Sequence, residues 1–453
     1  MSSAYSDREK LKDLMRLEIN RYISTHPRSR EAHERALSGL VDGVPMIWMS
    51  KWPGPFPLYV SKAKGSRFTD FDGMEYSDFC LGDTGAMCGH APDATVRAVQ
   101  KQSARGFTFM LPTEDARING EILSERFGLP KWQFTLSATD ANRHLLRYSR
   151  HVTGRPKIAV HDYCYHGTVD ETFAVMNDEG QTVPRRDNVG MPIALDKTTV
   201  VIPFNDLKAA EKAFATGEVA AMLMEPALTN IGIVLPKPGY LQGMQELCKK
   251  YGVIWILDET HTISAGPGGM TAIEGLKPDA IVLGKTIGGG VAVGAYGLTE
   301  ELALRIFSSM RLESIDVGGV GGTLAGNALS MAAVRATLTK VLKPKAFEHM
   351  IELAKRWEKN VQSVIDEYKL PWQISRIGAR GEYSFRATAP MTGREASDDD
   401  DFDLQQYLQL HAINRGVLMT PFHNMALMSP ETTERDLKRH DKHFREAVHS
   451  LFG

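Results

Sequence analysis

The sequence predicts an α/β fold: a large domain built on a doubly wound, mainly parallel sheet, and a smaller α+β domain formed by the N- and C-terminal parts. Three observations carry this. Short apolar runs alternate with helical stretches from about residue 133 to about residue 297. Two of those runs end abruptly near a charged residue, as strands buried on both faces of a parallel sheet do where they emerge at its carboxyl edge. Beyond Asn327 the pattern changes to long amphipathic helices and a few short strands. At 453 residues the chain is too long for one core. The expected division is 1–65 (helices and a loop counted with the small domain), 66–327 (the large domain) and 328–453 (the C-terminal part of the small domain).

From the N-terminus, helices are predicted over residues 7–24 and 29–40, followed by a Pro- and Trp-rich loop, 44–57. Such a loop covers something rather than forming a core. Trp48, Trp52 and Phe56 either line a pocket mouth or plug the underside of the loop. Alternation over 58–79, with a turn at Asp72-Gly73, gives a β-meander, and a Gly-rich connection at 82–90 leads into a helix over 92–106. Strands follow at 133–136, 157–160, 198–203, 220–225, 253–257 and 280–283, with a helix from the turn after Leu136 to His151. Helices at 328–341 and 345–368 and strands at 372–376 and 381–385 complete the pattern. The acidic run 398–401 reads as a solvated loop or a helix start.

Asp258 and Lys285 stand at the ends of the apolar runs 253–257 and 280–283. Ligands of open α/β sheets sit outside the carboxyl ends of the strands, so an acid and an amine delivered there by adjacent strands face one small volume. A desolvated lysine amine can hold an aldehyde as a Schiff base, and a carboxylate facing a pyridine nitrogen keeps that nitrogen protonated; both are requirements of pyridoxal phosphate chemistry. Taken alone, the pair also fits a surface ion pair or two unrelated solvated ends. The turn at Ser137 to Thr139 opens a helix and suits a phosphate; a plain Ser N-cap fits it equally.

Composition narrows the partners. A net charge of −2 with interspersed signs speaks against nucleic acid or an anionic membrane. Residues 1–16 lack a signal-peptide apolar region, and no run of 18 apolar residues occurs, so a cytoplasmic protein is expected. The four cysteines, Cys80, Cys88, Cys164 and Cys248, have no metal-binding spacing and read as free thiols.

From about residue 57 to residue 444 the sequence resembles the class III aminotransferases of the fold-type I pyridoxal phosphate enzymes, in the branch with glutamate semialdehyde aminomutase and the β-amino-acid aminotransferases. Five motifs in order carry the likeness: Ser137-Ala138-Thr139-Asp140-Ala141, Tyr165-His166-Gly167, Asp258-Glu259-Thr260, Leu283-Gly284-Lys285, and Gly322-Thr323-Leu324-Ala325-Gly326-Asn327. The resemblance implies pyridoxal 5'-phosphate as cofactor, with its phosphate at Ser137, Ala138 and Thr139 and its ring between Tyr165 and Thr260. Asp258 would partner the pyridine nitrogen, and Lys285 would be the Schiff-base lysine. It further implies a homodimer in which Thr323, after a cluster from Gly318 to Gly322, contacts the partner's cofactor. His261 stands where relatives often carry Gln or Met beside the ring's phenolic oxygen; a strand-end histidine bonded to a carbonyl is the plainer reading. His166 is either a support for the site or core. Glu225 and Asn230 match a motif near the cofactor, and an orienting role suits an acid that Asp258 would otherwise repel.

The departures bear on substrate. Ala138 replaces a Gly and Ala325 a Ser. Relatives that act on amino acids carry an Arg in the loop before Pro57 to fork the carboxylate; no Arg occurs here between Arg35 and Arg67, and Trp48 or Met49 aligns there. Of Arg380, Arg386, Arg394 and Arg415, placed in the small domain, Arg380 is the best carboxylate candidate, with a salt bridge the ordinary fate of each. The expected activity is transamination by two half-reactions. The amino group would pass between an amine with an apolar group, or an amino acid, and a keto acid, ketone or aldehyde. An aminomutase of the glutamate semialdehyde type and a β-amino-acid aminotransferase are the alternatives. A cofactor fold kept for regulation would lack the lysine, and a dinucleotide oxidoreductase would need a G-x-G-x-x-G that is missing.

Overall fold

The computed structural model describes residues 7–186, 188–189, 193–310, 319–397 and 401–453. Gly318 and Asp398 to Asp400 lie outside the described residues, as do the first six residues. Backbone contacts divide the chain into two compact units, one of Met1–Pro92, Lys345–Ala389 and Asp399–Gly453, the other of Asp93–Pro344 and Pro390–Asp398.

The second, larger unit is built on a seven-stranded sheet in the order Lys131–Thr135, Gly294–Leu298, Ala280–Leu283, Ile254–Asp258, Val219–Met224, Lys157–His161, Thr199–Ile202. Only Gly294–Leu298 runs against its neighbours; the five strands beyond it are mutually parallel. Every residue of Val219–Met224, Ile254–Asp258 and Ala280–Leu283 is buried, which is why these strands read as continuous apolar runs rather than as alternation. Helix Ala138–Thr153 puts Leu145, Leu146 and Tyr148 into a core with Ile158, Val160, Leu223, Ile256, Val282 and Tyr296. Its left-handed C-terminal Gly154 ends it.

The smaller unit holds two sheets. Val60–Lys64, Arg67–Asp70 and Glu75–Asp78 form the expected meander, extended by Val417–Leu418, which pairs in parallel with Glu75–Asp78. Gln373–Ile377, Arg380–Ser384 and Met425–Leu427 form the other, antiparallel sheet. The boundaries differ from the expected 65/66 and 327/328. The meander belongs to the small unit because its last strand pairs with a C-terminal one. Helix Ala328–Ala336, continued by a π turn over Thr337–Val341, stays with the large unit because it packs on Asp93–Ser103 and Glu114–Phe127. No sequence signal separated these choices, since each depends on pairing between distant segments.

Helix Arg8–Thr25 is capped by Asp7, and Asp401 caps Phe402–Ile413 while pairing with Arg8 at 2.6 Å, so the acidic run ends in a helix start. The same two helices are joined by Arg415, whose guanidinium donates to both oxygens of Glu18 at 3.0 and 2.9 Å, beside Asn414 at 2.7 Å. Burial pushes the Glu18 carboxyl up, but His411, Arg415 and Asn414 hold it down at about 2. Arg415→Ala therefore leaves a nearly enclosed carboxylate without its cation and should cost about 3–5 kcal/mol in denaturant unfolding. Because the folded value lies below the ordinary 4.5, the Glu18 contribution is complete above that pH and is lost as pH falls toward 2. The four cysteines are buried thiols outside any disulfide. Among the described residues no helix is long and apolar enough to cross a membrane.

Candidate active site

Strands Ile254–Asp258 and Ala280–Leu283 are parallel neighbours, with Asp258 opposite Val282, so the acid and the lysine leave the sheet at the same edge. Asp258 is only 4 % exposed. Its Oδ2 accepts from Nδ1 of His166 at 2.9 Å and from Nδ2 of Asn142 at 3.0 Å; its Oδ1 accepts the Thr260 backbone N–H at 3.1 Å. Burial alone would push this carboxyl up, but the hydrogen bonds and charge of His166, with Thr260 and Asn142, hold it below the usual carboxylate range. On His166 burial acts downward, and Cys164 and the Asp258 carboxylate more than offset it, raising the imidazole. The two are fixed against each other, and each favours the charged form of the other.

Glu259, next in sequence, turns the other way. Its carboxylate takes the backbone N–H of Met270 at 3.1 Å and of Thr271 at 2.5 Å, and the hydroxyls of Thr262 and Thr271 at 2.5 and 2.6 Å, at the start of helix Gly269–Ile273. Of the two adjacent acids, only Asp258 is directed to the His166 side.

Lys285 opens a 3₁₀ turn, Lys285–Gly288, with φ +51°, a left-handed conformation uncommon outside glycine and typical of residues held in place for function. Its Nζ lies 2.6 Å from Nε2 of His261. Gly284 before it has no room for a side chain: a Cβ there would sit 2.9 Å from the Cβ and 3.3 Å from the N of Ala138. The methyl that Ala138 carries in place of glycine is thus accommodated by the glycine opposite, and the start of helix Ala138–Thr153 lies against the lysine turn.

Ser137 is the N-cap of that helix, accepting from the Asp140 N–H at 3.2 Å. The plain capping role is therefore real. It coexists with the phosphate reading, since the first N–H groups of any helix lack partners within it. Thr139 Oγ1 accepts the Thr168 N–H at 3.1 Å, tying the Tyr165-His166-Gly167 turn to the same helix start. Gly167, at φ +76°, is glycine because a Cβ would run into the Thr139 side chain. Tyr165 is half-buried, its ring 6.3 Å from that of Phe173, and Thr260 is buried. Glu225 follows strand Val219–Met224, buried, and takes the Thr229 hydroxyl. Thr323 is exposed on the stretch before Asn327, the N-cap of Ala328–Ala336.

The remaining candidates belong to the small unit, apart from one. Trp48 and Met49 are 38 % and 43 % exposed on the turn Ile47–Ser50, and Trp48 meets Phe422 edge-on at 5.7 Å. Trp52 packs against the cluster of Tyr22, Phe56, Phe68 and Tyr76; Phe56 belongs to that core, so it plugs the loop from below. Arg380 is fully buried, donating to the Thr84 hydroxyl and to Met425 Sδ at 3.0 Å, with Asp83 at 3.9 Å. These contacts already engage both terminal nitrogens of the guanidinium. Arg394, expected in the small domain, lies in the large unit and pairs with Asp178 at 2.7 Å.

A donor set of one fixed, ionised acid and one amine at adjacent strand ends, beside a helix start that the lysine turn touches, fits pyridoxal 5'-phosphate. Sequence reading missed Asn142: it sits on the helix face turned to Asp258, and nothing in its own stretch pointed across 116 residues to that carboxylate.

The profile of the class III aminotransferase family matches residues 48–444. The glutamate-1-semialdehyde 2,1-aminomutase of Exiguobacterium sibiricum is 33 % identical over 400 residues, 87 % of this chain and 90 % of that protein. A glutamate-1-semialdehyde aminomutase from Pseudomonas aeruginosa PAO1 superposes with a TM-score of 0.96 at 45 % identity, covering 98 % of this chain and 99 % of that one. An omega-transaminase from Sphaerobacter thermophilus has a TM-score of 0.85 at 28 % identity, over 94 % and 98 % of the two chains.

Proposed function

The chain belongs to the class III pyridoxal phosphate-dependent aminotransferases, and from that premise we propose that it moves an amino group within one substrate, as an aminomutase of the glutamate semialdehyde type. The amino-group chemistry rests on one observation, the delivery by adjacent parallel strands of Lys285 and of Asp258, whose carboxyl is held below the usual range. The intramolecular reading is supported by aminomutase relatives at 33 % to 45 % identity, against 28 % for the omega-transaminase.

When bound, pyridoxal 5'-phosphate supplies an electron-accepting ring that carries the migrating nitrogen. Asp258, held anionic by His166, Asn142 and the Thr260 N–H, is the group for the ring nitrogen. The helix start at Ser137, Ala138 and Thr139 serves the phosphate. Tyr165 and Thr260 are the packing groups for the two ring faces, and Glu225 orients its neighbours. The Lys285 amine takes a proton from one substrate carbon and returns it to another. Thr323 serves the partner subunit's site in a homodimer, so cofactor and dimer stabilise each other.

The test is glutamate 1-semialdehyde offered alone. An aminomutase converts it to the isomer with nitrogen on carbon 1 with no second donor or acceptor. Turnover that requires an added keto acid would replace this reading with intermolecular transamination.

That second reading has its own support: the loop without arginine, and the exposure of Trp48 and Met49. If it holds, an arylalkyl amine should be preferred to its carboxylated analogue, because a buried carboxylate without a bidentate partner is costly. Met49→Arg should then reverse the preference. A parent chain that favours the carboxylated compound by about tenfold in kcat/KM, about 1.4 kcal/mol, rules the apolar-amine reading out.

A further inference from the structure

We propose that His261 is a second acid–base group at the reacting nitrogen, holding the Lys285 amine in place whenever the lysine is unlinked and sharing its proton. This rests on the reading of Lys285 as the cofactor lysine and goes beyond it.

The geometry is specific. Two basic nitrogens 2.6 Å apart need one donor and one acceptor. An ammonium has only donors, so Nε2 of His261 must then present its lone pair; if Nε2 carries the proton, the lysine must be the neutral amine. Neither arrangement allows both groups to hold a full charge. The lysine is fixed from the other side by its own backbone, held at φ +51° between Gly284 and the turn that ends at Gly288.

The consequence is chemical. A lysine ammonium has no lone pair and can neither attack a carbonyl nor accept a proton from carbon. When the proton passes to His261, an N–H bond breaks at Nζ and one forms at Nε2, leaving a neutral amine and an imidazolium; the reverse transfer restores both. No other reactant is consumed. A Gln at this position would keep a hydrogen bond to the amine and could not take its proton.

The experiment measures covalent attachment of pyridoxal 5'-phosphate to the cofactor-stripped full chain. Samples are fixed with borohydride at timed points, and the modified peptide is located by mass. His261→Ala and His261→Gln should both slow attachment at Lys285, by about 10²-fold at a fixed neutral pH. Added imidazole should restore His261→Ala, whose cavity admits the base. It should not restore His261→Gln, whose side chain fills that space. Attachment at the parental rate in either variant overturns the inference, as does failure of imidazole to rescue the alanine variant. If the parent chain itself attaches no cofactor at Lys285, the reading of the lysine falls, and the inference with it.

Discussion

Lys285→Ala is expected to fold, to bind the cofactor without a covalent link, and to lose turnover by several orders of magnitude, because one side chain supplies both the attachment and the proton carrier. The loss should be far larger than that of any other single change in the site. The fold is expected to survive because Lys285 is only half-buried. The variant keeps the left-handed backbone at position 285, so Lys285→Gly should be more stable than Lys285→Ala, by about 1 kcal/mol, through relief of that conformation. Borohydride reduction followed by peptide mapping decides the first point. Cofactor still fixed to the alanine variant at a different residue would show that Lys285 is not the attachment site.

Asp258→Asn is expected to cost about 10²-fold or more in turnover while leaving the shape of the site in place. The amide is isosteric, and its one oxygen serves either His166 and Asn142 or the Thr260 N–H, so the change removes the charge and sets an NH2 donor against the donors on the other side. Asp258→Ala goes further. It leaves the raised imidazole of His166 buried without its acceptor and the Asn142 amide with only the His166 carbonyl, and should destabilise the chain by about 3–5 kcal/mol. Adding His166→Ala to it should cost much less than the two single changes summed, with a coupling of about 0.5–3 kcal/mol in denaturant unfolding. Strict additivity would show that the pair is not linked. The acid limb gives an independent check. The folded carboxyl is held below its ordinary 3.8, so its contribution to stability is complete above that pH and lost as pH falls through the folded value. In Asp258→Asn that loss should be absent.

Much of this was decided by local sequence. The apolar runs that end near Asp258 and Lys285 are strands because they can be buried on both faces, and a charged residue at such an end marks the sheet's edge wherever it falls. Ser137 as a helix cap, Asp72-Gly73 as a turn and Gly154 as a helix stop follow from backbone chemistry within a few residues. The five motifs, in order, were enough to place the chain in its family. What local sequence left open was which of two bland or functional roles each polar side chain takes, because that depends on partners far along the chain. Asp258 is an oriented anion only because the crossovers bring His166, 92 residues away, and Asn142, 116 residues away, to its carboxylate. Glu259, its neighbour and chemically almost its equal, is turned to cap a helix. His261 meets an amine 24 residues on, and Arg380, readable as a substrate clamp, is enclosed beside Thr84, 296 residues before it. A strand's ends are set by the energetics of burying its own residues. The charge and direction of a side chain at that end are set by whichever donors the fold packs against it, and only the tertiary structure supplies those.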